Sequence, residues 1–163
     1  MNKSPFAIRV ATDDDLPEMI QLYFQSEEFH RTQRPDLFRK PSTAEIQKLF
    51  ESFMKDPLVT SLVATIADKP VAFVRFCIYE VQEISYLVDL GRYHAFIDEL
   101  VVSTEQRRLG IGQALMAETE RLLLRQGIRH IQLNVTNFNL PARALYQSIG
   151  YQPIFCRLGK TLT

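Results

Sequence analysis

Cysteine is nearly absent. The 163 residues include Cys77 and Cys156 and no others, each inside an apolar stretch, VRFCIY and IFCRL. Two cysteines so placed are too few for a disulfide framework or a zinc site, and both read as buried reduced thiols. Net charge is missing as well, since 19 basic residues balance 19 acidic ones. Bulk electrostatics therefore excludes the simplest argument for a nucleic acid or membrane partner, and any anion site must be local. No apolar run approaches the roughly 18 residues of a membrane span, and the opening MNKSPFAIRV lacks a signal peptide's apolar core. A cytoplasmic protein is expected. Internal repeats, low-complexity segments and interior linkers are lacking, so residues 1–163 should form a single domain. Such a chain buries roughly 70% of its unfolded surface, enough for a core without staples.

What is present is a legible order of elements. FAIRVA (Phe6–Ala11) alternates apolar and polar residues and reads as a strand. Thr12 or Asp13 can cap a first helix, with Leu16, Met19, Ile20, Tyr23 and Phe24 at helical spacing, running to about Phe29. HRTQRPDLFRKPS reads as a loop, and Ser42 or Thr43 caps a second helix with the stripe Ile46, Leu49, Phe50 and Phe53. LVTSLVATIA and VAFVRFCIYEV form a hairpin across the DKP turn. SYLVDLGRY is ambiguous between strand and loop. HAFIDELVV is a strand, followed by a helix to about Gln126 with Gly127 as its C-terminal cap. IRHIQLNV reads as a strand, Asn139 to Ile149 as a helix closed by Gly150, and YQPIFCRLG as a final strand. The order β-α-α-β-β-β-α-β-α-β implies a mixed sheet with helices on both faces.

Glycine is scarce too, six in all, yet two stand in EQRRLGIGQALMAE at the start of a helix. Glycine is costly in a helix, so its placement needs a reason. A strand-loop-helix unit exposes unpaired N–H groups at the helix start, where the helix dipole favours an anion. Without Cβ atoms, Gly110 and Gly112 would let a phosphate approach the backbone, and Arg107 and Arg108 add positive charge. A ligand-free glycine turn is the plain alternative. A dinucleotide fingerprint fails because Leu115 stands where Gly or Ala is needed, and a P-loop fails for want of Gly-Lys-Ser/Thr. A third reading is that the loop resembles the R/Q-x-x-G-x-G/A signature by which known acetyltransferases hold the pyrophosphate of coenzyme A.

With FIDELVVSTEQ, RRLGIG, IQLNV and NFNLPARALYQSIGYQP in order, Phe96 to Pro153 resembles the core of a GNAT-superfamily N-acetyltransferase. The resemblance covers most of the chain and is weak between Arg31 and Tyr93. It implies a GNAT-like α/β (α+β) fold: six to seven strands, about four helices on both faces, and two parallel central strands splayed for acetyl-CoA. Those strands match Ile97–Val102 and Ile131–Val135. The backbone of Leu100, Val101 and Val102 would pair with the pantetheine arm. The amides of Arg107, Arg108, Leu109, Gly110, Ile111, Gly112 and Gln113 would hold the pyrophosphate. Asn139 would contact pantetheine or its phosphate, or simply cap its helix; Arg143 would reach the nucleotide phosphates or stay in solvent. Tyr146, at a phenol's usual pKa near 10, would protonate the leaving thiolate, or is a core aromatic.

The attacking amine must lose a proton. Asp98 and Glu99 are adjacent on the strand and should face opposite sides unless a bulge intervenes. Regular alternation puts Glu99 with Ile97 and Val101, and Asp98 with Leu100 and Val102; either can be the base, and Tyr93 and His94 are further candidates. The reaction implied is direct acetyl transfer to a primary amine of a small molecule or peptide in a ternary complex, strand N–H groups polarising the thioester carbonyl. No metal is needed, and neither cysteine is placed to take the acetyl group. The acceptor should sit over the first two helices, where His30, Arg31, Arg34, Arg39 and Lys40 make either a basic rim or a solvated loop. A homodimer is possible. The alternative function is an acyl-CoA-binding sensor without transferase activity.

Overall fold

A computed structural model gives the structure of the chain and describes residues 5–81 and 92–160. Strand β1 (Ala7–Val10) leads through a short 3-10 turn into helix α1 (Leu16–Gln33), and α2 (Thr43–Lys55) follows. Thr12 and Asp15 make a capping box at the first entry, and Ser42 with Glu45 makes another at α2. Strands β2 (Val59–Ile66) and β3 (Lys69–Glu80) form a hairpin whose turn is Ala67-Asp68, both at positive φ. Strand β4 (Tyr93–Val102), helix α3 (Ile111–Arg125), strand β5 (Ile131–Leu133) and helix α4 (Leu140–Ser148) complete the regular elements.

The sheet runs in the order β1-β2-β3-β4-β5, antiparallel throughout except for the parallel pair β4-β5. Each face carries its own apolar cluster. One holds Leu62, Val74, Phe76 and Ile97 from the sheet with Ile111, Leu115 and Met116 of α3 and Tyr146 of α4. The other holds Val63, Phe73 and Val101 with Met19 and Leu22 of α1 and Ile46 and Phe50 of α2. Helices on both faces are thus observed, and the mixed GNAT-like architecture holds.

Several expectations are corrected. The sheet has five strands among the described residues rather than six to seven. YQPIFCRLG forms no strand, because Gln152 to Lys160 are exposed and pair with nothing described. The IRHIQLNV strand shrinks to Ile131–Leu133, because it separates from β4 after Leu133. Helix α1 continues past Phe29 to Gln33, so the first part of HRTQRPDLFRKPS is helical. Cys156 is exposed and Cys77 half-buried, since the segment carrying Cys156 never packs. The ambiguous part of SYLVDLGRY, residues 85–91, lies outside the described residues.

Candidate active site

The parallel β4-β5 pair is a wedge. Ala95, Phe96 and Ile97 pair with Ile131, Gln132 and Leu133, and there the pairing stops. Strand β4 runs on to Val102 with β3 on one side and no described strand on the other. A strand with one unpaired side presents free N–H and C=O groups. Leu100, Val101 and Val102 lie on this stretch.

Directly after β4 comes the glycine loop. Arg108 at φ 68° and Gly110 at φ 76° are both left-handed, and such turns can aim successive N–H groups inward. No side chain caps α3: Gly110 is its N-cap without a side-chain hydrogen bond, and its first turn has no acid. The early amides of α3, at Ile111, Gly112 and Gln113, are therefore without capping side chains. Arg107, Arg108 and Leu109 are exposed, and Arg107 Nε donates to the Val102 carbonyl at 3.4 Å. The two glycines differ in purpose. A Cβ at Gly110 would meet nothing within 4 Å, so its backbone conformation alone demands glycine. A Cβ at Gly112 would touch Leu145 at 3.4 Å and Val102 at 3.5 Å. Those are ordinary van der Waals distances, and they show that the missing side chain of Gly112 faces β4 and α4.

On α4, the Asn139 side chain accepts from the Ala142 N–H at 3.3 Å and caps the helix. Its amide nitrogen makes no hydrogen bond among the described residues. Arg143 Nη1 donates to the Asn137 carbonyl at 3.2 Å, so it braces the preceding loop. Tyr146 is 9% exposed within the α3-face cluster, its ring 5.9 Å from that of Tyr151. Burial pushes its phenol up to about 12 rather than the ordinary 10.

The carboxylates are separated by a bulge. Phe76 pairs with Ile97 and Arg75 with Glu99, which leaves Asp98 as the extra residue. Cross-strand neighbours share a face, so Ile97 lies with Phe76 on the α3 side while Glu99 and Val101 lie with Arg75 and Phe73 on the α1-α2 side. The simple alternation that grouped Glu99 with Ile97 is thereby corrected. Glu99 Oε2 stands 3.3 Å from Arg75 Nη2, with side-chain exposures of 20% and 6%. Glu99 Oε2 and Arg75 Nε and Nη1 are buried without a hydrogen-bond partner among the described residues. Burial pushes Glu99 up to about 7 against the pull of Arg75, and nearby Asp98 adds to the rise.

Sequence reasoning missed the company Glu99 keeps. Arg75 lies 3.8 Å from the Phe53 ring centroid and 5.0 Å from that of Phe50. Burial raises the Tyr23 phenol, and the charges of Glu99 and Glu27 raise it further. The signal available was a lone arginine amid the apolar run VAFVRFCIY. Asp98 is exposed, and its carboxyl is hydrogen-bonded with the Cys77 thiol. This places Cys77 beside Asp98, and burial and Asp98 hold the thiol above its ordinary range. His94 is buried at the other end of β4, its ring 4.4 Å from His130, and Tyr93 is exposed. Among the described residues no group of three or more His, Cys, Asp or Glu could hold a metal ion. No described helix is long and apolar enough to cross a membrane. The basic rim is largely neutralised: Arg34 is paired with Asp36, Arg39 with Glu45, and Arg31 with Glu28.

The model of the acetyltransferase (GNAT) family matches residues 16–151. The chain belongs to that family. A bovine (Bos taurus) thialysine N-epsilon-acetyltransferase is 25% identical over 149 residues, spanning 90% of this chain and 84% of the relative. The crystal structure of a mutant of the BH1408 protein from Bacillus halodurans superposes with a TM-score of 0.88 at 25% identity, covering 96% of this chain and 99% of that one. The aminoglycoside N-acetyltransferase AAC(6')-Iy, solved in complex with CoA, gives a TM-score of 0.77 at 15% identity over 99% and 97%, a likeness of fold. The chain is thus an acetyltransferase-family protein with the GNAT fold.

Proposed function

We propose that this acetyltransferase moves an acetyl group from acetyl-CoA to a primary amine of a small molecule or peptide, by direct attack in a ternary complex. The observation that carries the reading is the wedge. Parallel pairing ends at Ile97–Leu133, and the exposed flank of β4 leads straight to a helix start that no side chain caps. The left-handed turns at Arg108 and Gly110 and the exposed arginines suit a diphosphate. Backbone at Leu100, Val101 and Val102 would receive the pantetheine arm by strand addition. The amides of Arg107, Arg108, Leu109, Gly110, Ile111, Gly112 and Gln113 would grip the pyrophosphate, with Asn139 donating from its free amide nitrogen. Arg143 would hold the loop in place. The donor supplies an activated thioester. A cytoplasmic location suits such a donor.

Glu99 is the better base of the two carboxylates. It faces the α1-α2 side, over which the acceptor is expected, and with a pKa of about 7 it can take a proton at neutral pH. Asp98 sits on the bulge, exposed, and does less. Tyr146 stays neutral at any ordinary pH and can donate its proton to a departing thiolate. The raised Cys77 thiol makes a poor acetyl carrier, which favours direct transfer. The bovine relative and the aminoglycoside enzyme are both named for transfer to nitrogen.

The test is to incubate the protein with acetyl-CoA and a panel of diamino acids, polyamines and aminoglycosides, and to follow free thiol. Thiol release with at least one amine is expected. Tight coenzyme A binding by calorimetry with no release on any amine, and no effect of Tyr146→Phe, would favour a sensor module. No heat of association with coenzyme A would remove the cofactor site altogether.

A further inference from the structure

The fold buries a cation that the described chain does not fully satisfy. Arg75 stands in the middle of β3 with 6% of its side chain exposed. The Phe53 and Phe50 rings cover it. Its one ion-pair partner among the described residues is Glu99, through Nη2 at 3.3 Å, while Nε and Nη1 find no acceptor. A guanidinium has five N–H donors, and leaving them buried and unused is costly. Such a group calls for something that completes it.

The neighbouring charges do not complete it. Glu27 on α1 has an 8% exposed side chain and lies 3.6 Å from Arg31, so those two cancel. Tyr23, four residues before Glu27 on the same side of α1, feels the charges of Glu27, Glu99 and Arg75, which puts all of them in one cluster. Asp98 also feels Arg75, but it is exposed on the bulge and engaged with the Cys77 thiol. Glu99 becomes neutral when it takes a proton from an attacking amine. Arg75 is then left as an uncompensated buried cation, and the acceptor is the molecule in place to supply an anion.

We propose that Arg75 receives the carboxylate of the acceptor, and that the acceptor is a free α-amino acid acetylated on its α-amine. The inference rests on the transfer reading above and deepens it. Arg75 and Glu99 face each other across β3 and β4, 3.3 Å apart. A molecule that sets an amine beside Glu99 and an anion beside Arg75 must carry the two close together. An α-amino acid carries both on one carbon, whereas a polyamine or an aminoglycoside offers no anion there. Nη2 keeps its place beside Glu99, and Nε and Nη1 are the donors left for the carboxylate oxygens. The amine nitrogen bonds to the acetyl carbon as the carbon–sulfur bond breaks. Of the two protons an ammonium loses, one replaces that which Tyr146 gives to sulfur and the other leaves through Glu99.

The test uses the full chain, acetyl-CoA and matched acceptors: L-phenylalanine against phenethylamine, and L-lysine against cadaverine. Thiol release should give the amino acid of each pair a kcat/KM higher by about 10²-fold. The lysine product, read by NMR, should carry its acetyl group on the α-nitrogen. Arg75→Met should bring the ratio within each pair close to one, chiefly by raising KM for the amino acid, and Arg75→Lys should keep part of the preference. Any disturbance of Glu99 by these variants acts on both members of a pair and cancels from the ratio. Equal or faster turnover of the amines without a carboxylate, or lysine acetylated on its side chain, would overturn the proposal while leaving acetyl transfer to amines standing. A preference that survives both Arg75 variants would overturn the part given to Arg75. Coenzyme A binding with no thiol release on any amine would remove this inference and the transfer reading together.

Discussion

Replacing Glu99 by glutamine tests the site most directly, because one change reads out both chemistry and stability. The carboxyl sits at about 7 when folded against an ordinary 4.5. Its folded value is the higher one. The folded chain therefore holds a proton that the unfolded chain has lost across the window from 4.5 to 7, and stability falls as pH rises through it. The slope is about 1.4 kcal/mol per pH unit, so this one group removes about 3 kcal/mol across the window. In Glu99→Gln that loss vanishes. Arg75 stays charged throughout, so any cost of leaving it beside a neutral amide is the same at every pH and cancels from the difference. Urea unfolding at about pH 5 and pH 8 reads the quantity: wild type should lose more stability between the two than the variant, by about 3 kcal/mol at most.

The same substitution should lower kcat/KM by about 10²- to 10⁴-fold and abolish the rise of rate with pH near 7. Coenzyme A affinity should hardly move, because Glu99 faces away from the α3 side. Equal pH dependence of stability in wild type and variant would refute the buried titration. A rate profile that still climbs near neutral pH in Glu99→Gln would refute the base and turn attention to Asp98.

Tyr146→Phe should reduce kcat by about 10²-fold or more with coenzyme A affinity retained, as measured by thiol release and calorimetry. Gly112→Val would force two methyl groups into contact with Leu145 and Val102, so a loss of about 1–3 kcal/mol in chemical unfolding is expected together with weaker cofactor binding. Gly110→Ala has room for its Cβ but not the right backbone, and should cost about 1–2 kcal/mol in the same assay. Cys77→Ala should remain active, and mass spectrometry of wild type with acetyl-CoA alone should find no acetylated cysteine.

The elements that local chemistry dictates were readable in the sequence. Ser42 announced α2, Gly127 closed α3, and the RRLGIG spacing located the loop that follows β4. Long-range partnership was not readable. YQPIFCRLG has the composition of a strand, yet a strand exists only where another lies beside it, and none in the described chain does. Which way a side chain at Gly112 would point, toward Leu145 and Val102, was likewise not readable. Arg75 carried a usable signal, a charge in an apolar strand, but its partner across the sheet depends on register.

Register is where the site is decided. Along an unbroken β4, Glu99 would share the face of Ile97, on the side that α3 and α4 cover. A single extra residue at Asp98 turns the strand over, so that Ile97 and Leu100 both meet the α3 cluster while Glu99 meets Arg75 on the other side. The same bulge lies where β5 leaves β4, since the last parallel pair is Ile97–Leu133. One inserted residue thus coincides with the opening of the wedge and with the choice of carboxylate offered to the acceptor. Deleting Asp98 should therefore do more than remove a side chain. It would restore alternation with Ile97 and Glu99 adjacent, so that Glu99 stays opposite Arg75 while the bulge beside the wedge is lost. Deletion and Asp98→Ala can be compared in one thiol-release assay: only the deletion removes the bulge where the wedge opens, so it should lower turnover, while the alanine variant, which keeps the bulge, should retain most of it; equal activity of the two would refute a part for the bulge.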